Sequence, residues 1–267
     1  MIKLTVCGAA GRMGSRIIAL SKDYSDIRLV GAVESKTNPN VGVDAGVMAG
    51  IGQIGVTIVD DINKVVDETD IFVNFTNPEA TVEYVQVAKK FKKSMVIGTT
   101  GLNNQQIALI QECARDIPVV LSPNMSIGVN LLFKILKDVA KVLGDDYDIE
   151  IVEAHHRMKK DAPSGTAIKM AKIIAEALNR NLDDVAVYAR KGMIGERTKH
   201  EIGIQTVRAG DIVGEHTVLF GGLGERIEIT HKASSRDTFA RGALRAVIWL
   251  TNKSAGLYDM ADVLGIK

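Results

Sequence analysis

The sequence predicts an α/β protein, with a doubly wound parallel sheet followed by a second domain of the α+β type. Two observations lead to this prediction. Up to about residue 121, short β-branched runs alternate with segments whose apolar residues recur every three or four positions, the pattern of βαβ units. After residue 124 this alternation ends, and the length of 267 residues is sufficient for a second, modest domain.

Six strand-like runs and three helical segments make up the first predicted domain. The runs lie at 4–7, 28–33, 56–59, 71–75, 95–97 and 119–121, and the helical segments at 12–20, 79–91 and 105–114. Pro78 fits the first turn of the second helix, where its missing N–H is not needed. Six strands joined by helical crossovers favour a Rossmann-like doubly wound parallel sheet.

The second predicted domain opens with a long helix over 129–143 that is apolar on more than one face. Such a helix suits a contact between domains or subunits. One further helix, 166–178, precedes alternating stretches at 202–207 and 226–230, which predict an open mixed or antiparallel sheet buried on one face. We assign the helix at 238–250 back to the first domain.

Composition excludes several classes of partner. The chain carries 33 basic and 32 acidic residues without a basic block, so nucleic acid is not an expected partner. No apolar stretch approaches the roughly 20 residues that a bilayer requires, so no membrane association is expected. The chain starts with a strand-like run rather than a secretory leader, and Cys7 and Cys113 are its only cysteines. We expect a reduced, cytoplasmic protein.

A glycine-rich loop, Gly8-Ala9-Ala10-Gly11-Arg12-Met13-Gly14, follows the first strand and opens the first helix. Glycines there let backbone amides approach a pyrophosphate at the positive end of the helix. Glu34 ends the second strand, where a carboxylate accepts the ribose hydroxyls of an adenosine. The spacing is G-x-x-G-x-x-G, and a tight turn beside a surface glutamate is the alternative. Gly98–Gly101 and Ser122–Asn124 follow later strands, at the edge where the crevice of such a sheet opens.

The segment 150–167 concentrates reactive side chains. His155 and Lys159 supply two proton-transfer groups at the end of a strand, and Ser164-Gly165-Thr166 begins a helix whose amides suit a carboxylate. The segment therefore predicts a site for a small anionic substrate. Because His155 and His156 are adjacent on a strand, they face opposite sides, and no Cys or Asp partner has metal-ligand spacing, so no metal is expected.

Other reactive residue types have structural interpretations. Ser164 fits a helix cap better than a hydrolase nucleophile. His200, His216 and His231 lie singly in strand-like stretches and are interpreted as hydrogen-bonded structural histidines. A group of cations is either a solvated face or part of the anion site, and only Arg236 is assigned to the site. The group comprises Lys232, Arg236, Arg241 and Arg245.

These motifs resemble one known family closely, that of 4-hydroxy-tetrahydrodipicolinate reductase, also called dihydrodipicolinate reductase. The resemblance extends through 150–167, 8–14, Phe75-Thr76, 96–101, 207–216, 229–236 and 256–260. It implies a dinucleotide-binding domain of residues 1–126 and 236–267 and a substrate-binding and oligomerisation domain of residues 127–235. It also implies a homotetramer that reduces a cyclic dicarboxylate imine with NADH or NADPH in diaminopimelate and lysine biosynthesis.

The resemblance assigns residues position by position. Proton transfer falls to His155 and Lys159, in an order the sequence leaves open, and substrate binding to His156, Gly165 and Thr166, to which the residue patterns add Ser164 and Arg236. The cofactor-binding positions are Gly8, Ala9, Ala10, Gly11, Arg12, Met13, Glu34, Gly98, Thr99, Thr100, Ser122, Pro123, Asn124 and Met125.

Two positions depart from the family pattern. Where relatives often have Arg after the acid, this chain has Ser35 and then Lys36, and Asn77 stands where relatives often have Arg. We therefore predict that NADH is used at least as well as NADPH. Two other functions fit the residues less fully: an amino-acid or sugar dehydrogenase with Lys159 as general base, and a nucleotide-sensing module without turnover. Fold likeness alone does not separate these possibilities.

Overall fold

The computed structural model of the chain describes residues 1–266. These residues divide into two compact units. Unit 1 comprises Met1–Ile127 and 236–266, and unit 2 comprises Gly128–Ser235. Within the described residues, no helix combines the length and the apolar character that a membrane crossing requires.

The first part of unit 1 alternates strands and helices. In chain order these are β1 (Ile2–Cys7), α1 (Gly14–Ser21), β2 (Ile27–Val33), α2 (Ala45–Met48), β3 (Ile58–Val59), β4 (Ile71–Asn74), α3 (Pro78–Lys90), β5 (Ser94–Ile97), α4 (Asn104–Cys113) and β6 (Pro118–Leu121). Local caps explain where the crossover helices begin: Asn77 accepts a hydrogen bond from the Ala80 N–H ahead of α3, and Asn103 forms a capping box with Gln106 ahead of α4.

Unit 2 is a mixed sheet with helices. Its elements are α5 (Ile127–Leu143), β7 (Asp148–His155), α6 (Gly165–Ala177), α7 (Leu182–Val185), β8 (Ala186–Val187), β9 (Ile202–Arg208), β10 (Gly214–Gly221) and β11 (Arg226–Ala233). The strand order is β11-β10-β7-β9-β8, in which β10 runs antiparallel to both of its neighbours and β9 runs parallel to β7 and β8. The predicted open mixed sheet is confirmed, and its core includes Ile149, Ile151, Val218 and Phe220.

The chain returns to unit 1 for its last three elements, α8 (Asp237–Leu250), β12 (Gly256–Tyr258) and α9 (Met260–Leu264). The completed sheet has the order β12-β6-β5-β4-β1-β2-β3, and every pair in it is parallel. Because the chain proceeds outward from β1 on one side and from β4 on the other, the topological switch point lies between β1 and β4. This confirms the predicted doubly wound parallel sheet.

Both faces of this sheet are covered. Val73 of β4 packs in one apolar cluster with residues of α1 and α8, while Phe72, its neighbour on the same strand, packs in a second cluster with residues of α3 and α4. This alternation is the period-2 pattern of a strand buried on both sides. Because the strands are parallel, one edge of the sheet holds the carboxyl ends of β1, β2, β4, β5 and β6. This edge carries the loops predicted to hold a cofactor.

Candidate active site

The glycine loop after β1 is built for close backbone approach. Gly8 has φ +78°, a left-handed conformation that favours glycine, and a Cβ there would overlap the Phe75 carbonyl oxygen. A Cβ on Gly14 would overlap the Gly8 carbonyl oxygen. No side chain within the described part of the chain caps α1 at Met13. The loop therefore places the amides of an uncapped helix beside the switch point, which fits a dinucleotide pyrophosphate.

Glu34 lies against this loop. Its Oε2 accepts a hydrogen bond of 2.9 Å from the Ala10 N–H, and its Oε1 accepts one of 2.9 Å from the Ser35 N–H. A carboxylate has about four acceptor sites, so the two ribose hydroxyls expected there still find lone pairs. The side chains of Ser35 and Lys36 are exposed beside it, and Ser35 Oγ lies 3.1 Å from Thr37 Oγ1.

The loops after β5 and β6 lie at the same edge, but not all of their side chains face outward. Gly98 is required by packing, because a Cβ there would overlap the Phe75 ring. Thr99 is buried, whereas Thr100 and Pro123 are exposed. Met125 lies in the apolar core, so only its backbone is available to a ligand.

A buried polar network, which the sequence analysis missed, holds the loops after β4 and β5. Thr81 Oγ1 lies 2.7 Å from Asn74 Nδ2 and 2.9 Å from Thr99 Oγ1, and Thr76 Oγ1 donates to Asn74 Oδ1 at 2.9 Å. The network therefore fixes the ends of β4 and β5 relative to each other. The one signal in the sequence is the polar Asn74 at the end of the apolar run Ile-Phe-Val.

In unit 2, β7 ends at His155, beside a buried carboxylate. His155 Nδ1 lies 2.6 Å from Oε2 of Glu153, whose side chain is fully buried. Arg208 of β9 meets the same carboxylate with two guanidinium nitrogens, each at 2.9 Å. Glu153 Oε1 also accepts a hydrogen bond from the Ser164 N–H at 3.0 Å and one from Thr206 Oγ1 at 3.2 Å.

These contacts set the charge states of the pair. Burial opposes ionisation of Glu153, but the hydrogen bonds from Arg208, His155 and the Ser164 N–H outweigh it and hold its pKa below the ordinary value. Burial lowers the pKa of His155, and the opposing contribution of Glu153 does not cancel this effect. His155 is therefore a neutral imidazole beside an ionised carboxylate at neutral pH.

Lys159 lies in the loop after β7, with its Nζ 2.9 Å from Asp161 Oδ2 and its side chain 20% exposed. This hydrogen bond lowers the pKa of Asp161. Two hydrogen bonds fix the backbone of this loop. Arg208 Nη2 donates to the Asp161 carbonyl at 2.7 Å, and the His156 N–H donates to the Ile212 carbonyl at 2.7 Å. The loop thus carries an ammonium donor whose only ion-pair partner within residues 1–266 is an exposed carboxylate.

Ser164 caps α6, as predicted, since its Oγ accepts from the Ala167 N–H at 3.2 Å. The same hydroxyl lies 3.0 Å from His216 Nε2, and the residue is 2% exposed. With its polar atoms engaged inside the protein, Ser164 positions the start of α6 rather than presenting its hydroxyl outward. Gly165 is exposed, with open space where a Cβ would stand.

The structure corrects the interpretation of two histidines. His216 is 4% exposed and its ring packs edge-on against His155, with 5.2 Å between ring centroids. Its Nδ1 has no hydrogen-bond partner among residues 1–266, and neither has Nδ1 of His231, so neither residue is the fully hydrogen-bonded histidine that was expected. His200 lies in a turn rather than a strand, with a largely exposed side chain.

The four cations are divided between the two units. Lys232 lies in unit 2 and pairs with Glu215 at 3.4 Å, while Arg241 lies in unit 1 and pairs with Asp23 at 3.5 Å. Arg236 directly precedes α8 in unit 1, and within the described residues its side chain makes no hydrogen bond or ion pair. Those residues also contain no group of three His, Cys, Asp or Glu side chains placed to hold a metal ion.

Fold and residues together define a class of protein. A doubly wound parallel sheet with an uncapped glycine loop and an acid after β2 is a dinucleotide-binding unit, and unit 2 adds an imidazole and an ammonium group suited to proton transfer. The class is that of dinucleotide-dependent oxidoreductases.

Comparisons with known proteins narrow this class. The family "Dihydrodipicolinate reductase, N-terminus" matches residues 2–125, and the family "Dihydrodipicolinate reductase, C-terminus" matches residues 128–264. The 4-hydroxy-tetrahydrodipicolinate reductases of Geotalea uraniireducens and Geobacter sulfurreducens are each 57% identical over 267 residues, which is 100% of both chains. The chain therefore belongs to the dihydrodipicolinate reductase family.

Solved structures agree in fold. A dipicolinate-bound dihydrodipicolinate reductase from Paenisporosarcina sp. TG-14 superposes with a TM-score of 0.76 at 24% identity, over 98% of each chain. A putative myo-inositol dehydrogenase from Sinorhizobium meliloti superposes with a TM-score of 0.63 at 13% identity, over 100% of this chain and 94% of that one. At these identities the likeness concerns the fold, which several dehydrogenases share.

Proposed function

We propose that this chain reduces 4-hydroxy-tetrahydrodipicolinate, the species also called dihydrodipicolinate, to tetrahydrodipicolinate with NAD(P)H, within diaminopimelate and lysine biosynthesis. The observation that carries the proposal is the full-length match to reductases of this name, together with the intact 150–167 segment at the end of β7.

Unit 1 supplies the cofactor site in this proposal. The backbone from Gly8 to Met13 would hold the pyrophosphate, Glu34 the adenosine ribose, and the loops Gly98–Thr100 and Ser122–Met125 the nicotinamide half. The absence of a Cβ at Gly8 and the uncapped start of α1 support this assignment. When bound, the reduced nicotinamide supplies the hydride from its C4.

Unit 2 supplies the groups that bind the substrate and move a proton. His156 and the α6 start at Gly165 and Thr166 would bind the carboxylates, and Arg236 would supply a further anion contact. Lys159 carries donor hydrogens and His155 is neutral, so we assign delivery of the proton to Lys159 and hydrogen-bond acceptance to His155. Fixed orientation of the substrate contributes several kcal/mol to the barrier reduction, about 7 or more in favourable cases.

Cofactor choice, compartment and assembly are further parts of the proposal. NADH serves at least as well as NADPH, because the exposed Ser35 beside Glu34 offers no cation to a 2′-phosphate. The reaction takes place in the cytoplasm, for which the two free, buried cysteines are suited. The active form is a homotetramer.

The deciding experiment follows NADH absorbance at micromolar enzyme, with substrate generated enzymatically in the same cuvette. We expect oxidation that depends on both enzyme and substrate, with tetrahydrodipicolinate as product. Binding of NADH without turnover would support the nucleotide-sensing alternative and overturn the proposal. Turnover of amino acids or sugars in place of the cyclic imine would support the dehydrogenase alternative instead.

A further inference from the structure

Glu153 is the most densely bonded side chain of unit 2, yet the chemistry proposed above does not use it. It lies fully buried on β7, and its carboxylate meets four residues from three segments: His155 on its own strand, Thr206 and Arg208 on β9, and the Ser164 N–H ahead of α6. Burying a charge is costly unless it is paired and hydrogen-bonded. A buried carboxylate with this many donors therefore requires an explanation.

We propose that Glu153 is a positioning residue that selects the tautomer of His155, with the proton on Nδ1 and an acceptor lone pair on Nε2. The inference depends on the proposed function only in giving His155 a role in the reaction. The tautomer itself is a property of the protein without ligands.

The donor arrangement around Glu153 carries this inference. An ionised carboxylate only accepts hydrogen bonds, so the contact of 2.6 Å to His155 Nδ1 requires a proton on that nitrogen. A neutral imidazole has one ring N–H, so Nε2 is unprotonated. Nε2 is therefore an acceptor that can orient a donor hydrogen of a neighbouring ammonium or of the substrate.

Arg208 keeps Glu153 ionised. It contributes two guanidinium contacts of 2.9 Å in a planar fork, the geometry in which arginine binds carboxylates most strongly. The charged and titratable groups that face His155 are Glu153, Lys159 of the following loop, Arg208 of β9 and His216 of β10. Burial and the cations Lys159 and Arg208 disfavour a charged imidazole, so His155 is neutral, and the contact with Glu153 selects the form with its proton on Nδ1.

Glu153 also joins the proton-transfer segment to the substrate-binding one. Its Oε1 accepts from the Ser164 N–H, one residue before Gly165. The same carboxylate therefore fixes both the ring of His155 and the start of α6, so a change at Glu153 should affect the turnover rate and substrate KM together.

The tautomer can be measured directly. Enzyme labelled with 15N at histidine is recorded by two-bond 1H–15N correlation at neutral pH without ligands, and the His155 signals are assigned by their loss in His155→Asn. We expect the protonated nitrogen to be Nδ1. A proton on Nε2 overturns the proposal, whether or not the enzyme turns over the proposed substrate.

Glu153→Gln provides the second test, because an amide has one acceptor and one donor end. Three donors converge at the Oε1 position, so the amide oxygen of the new glutamine should take that position. Its NH2 group would then face His155 Nδ1. We expect the proton of His155 to move to Nε2 and kcat to fall by about tenfold or more. Retention of the Nδ1 proton, or of full kcat, contradicts the proposal. If this variant does not fold, the wild-type spectrum still decides.

Glu150→Gln is the matched control. Glu150 lies on the same strand and also accepts two hydrogen bonds from one arginine, Arg190, at 2.7 and 2.9 Å, but it does not contact His155. We expect it to leave the His155 tautomer unchanged and kcat within about twofold, while both variants lose an arginine pair. Equal effects of Glu150→Gln and Glu153→Gln on kcat would assign the loss to the sheet rather than to His155 and would refute the proposal.

Discussion

Lys159 and His155 differ in what they offer the reaction. Lys159 is a donor on a loop, while His155 is a neutral ring held by Glu153. General acid–base groups typically contribute about 10² to 10⁴ in rate, so Lys159→Ala and His155→Ala should each lower kcat at least about tenfold. Neither change should alter the affinity for NADH, which fluorescence titration measures.

The neighbouring Lys160 is the control for Lys159. It is exposed and one position further along the same loop, so Lys160→Ala should keep near-normal kcat. Full turnover in both Lys159→Ala and His155→Ala would end the assignment of proton transfer to these residues. A loss in Lys160→Ala as large as in Lys159→Ala would indicate a general charge effect instead.

We expect cofactor preference to depend on the residue after Glu34. A 2′-phosphate beside Glu34 meets a like charge, and Ser35 supplies no cation to relieve it. An arginine would supply a planar fork, and a charge-assisted hydrogen bond contributes roughly 1.5–3 kcal/mol. We therefore expect Ser35→Arg to shift the ratio of kcat/KM for NADPH over NADH by about tenfold or more.

The control for that shift is Ser25→Arg, another exposed serine, which lies before β2 and adds the same charge elsewhere. It should leave the NADPH to NADH ratio nearly unchanged. A wild-type enzyme that prefers NADPH by about a hundredfold, or a ratio unmoved by Ser35→Arg, would mean that another position sets cofactor choice.

His216 predicts a loss of stability in acid. Burial, with a smaller contribution from His155, lowers its pKa from 6.5 to about 4. Between these values the unfolded chain binds a proton that the folded protein excludes, so the free energy of unfolding falls as the pH falls. At about 1.4 kcal/mol per pKa unit, this group removes about 2 kcal/mol between pH 7.5 and pH 5.

Urea unfolding at those two pH values measures the effect. His216→Gln should reduce the pH dependence by about 2 kcal/mol, whereas His200→Gln, at a largely exposed histidine, should not change it. An unchanged pH dependence in His216→Gln would show that the folded protein accommodates the charged ring.

Residue types could be predicted from the sequence, but their pairings could not. His155, Lys159 and the Ser164 cap stand out because reactive residues cluster within 150–167. Arg208 lies 55 positions from Glu153 and becomes its partner only through the pairing of β9 with β7. Likewise, nothing local reveals that β10 brings the ring of His216 against His155.

At the scale of elements, period and capping predicted the long segments well. The helices found at Pro78–Lys90 and Ile127–Leu143 begin within two residues of the predicted starts, because their apolar periodicity runs over several turns. β12 was not predicted, since three residues carry no periodic signal and pairing with β6 alone makes them a strand. The four-residue helices α2 and α7 were missed for the same reason.

Helix α8 depends on a glycine in its interior. A Cβ on Gly242 would overlap the Met125 carbonyl, so Gly242→Ala must displace α8 or the backbone at Met125. Ala is favoured over Gly in a helix interior by about 1 kcal/mol, whereas overpacking costs about 1–3 kcal/mol and a rigid backbone partner sets the upper end. We expect a net loss of about 1–2 kcal/mol in the free energy of unfolding, measured with urea.

Gly165→Ala is the comparison for that helix prediction, since open space surrounds the position where its Cβ would stand at the start of α6. It should leave the free energy of unfolding unchanged or slightly raised. If Gly242→Ala is as stable as Gly165→Ala, then the backbone beside α8 yields readily and the close approach does not require glycine.

At the scale of the whole molecule, unit 2 exposes apolar surface that a single chain leaves in water. Leu131 and Ile135 of α5 are 46% and 38% exposed, and Val152 of β7 and Val207 of β9 are 40% and 43% exposed. Val152 and Val207 project from the sheet face opposite to the buried Ile149 and Ile151. We call the sheet face with Val152 and Val207 the apolar strip, and exposed apolar side chains of this kind favour association of identical subunits.

If the active form is the proposed homotetramer, sedimentation at micromolar protein should give a mass of about four chains. Val152→Lys should lower that mass, because a charge placed on an apolar contact between subunits loses its hydration without gaining a partner. Val47→Lys is the control, since Val47 of α2 in unit 1 is 53% exposed and lies outside this strip. The substitution at Val152 leaves the core of a single chain intact, so a drop in mass with unchanged secondary structure by circular dichroism would locate the subunit contact on this sheet face. A fully active monomer, or a Val152→Lys protein that remains a tetramer, would show that assembly does not use it.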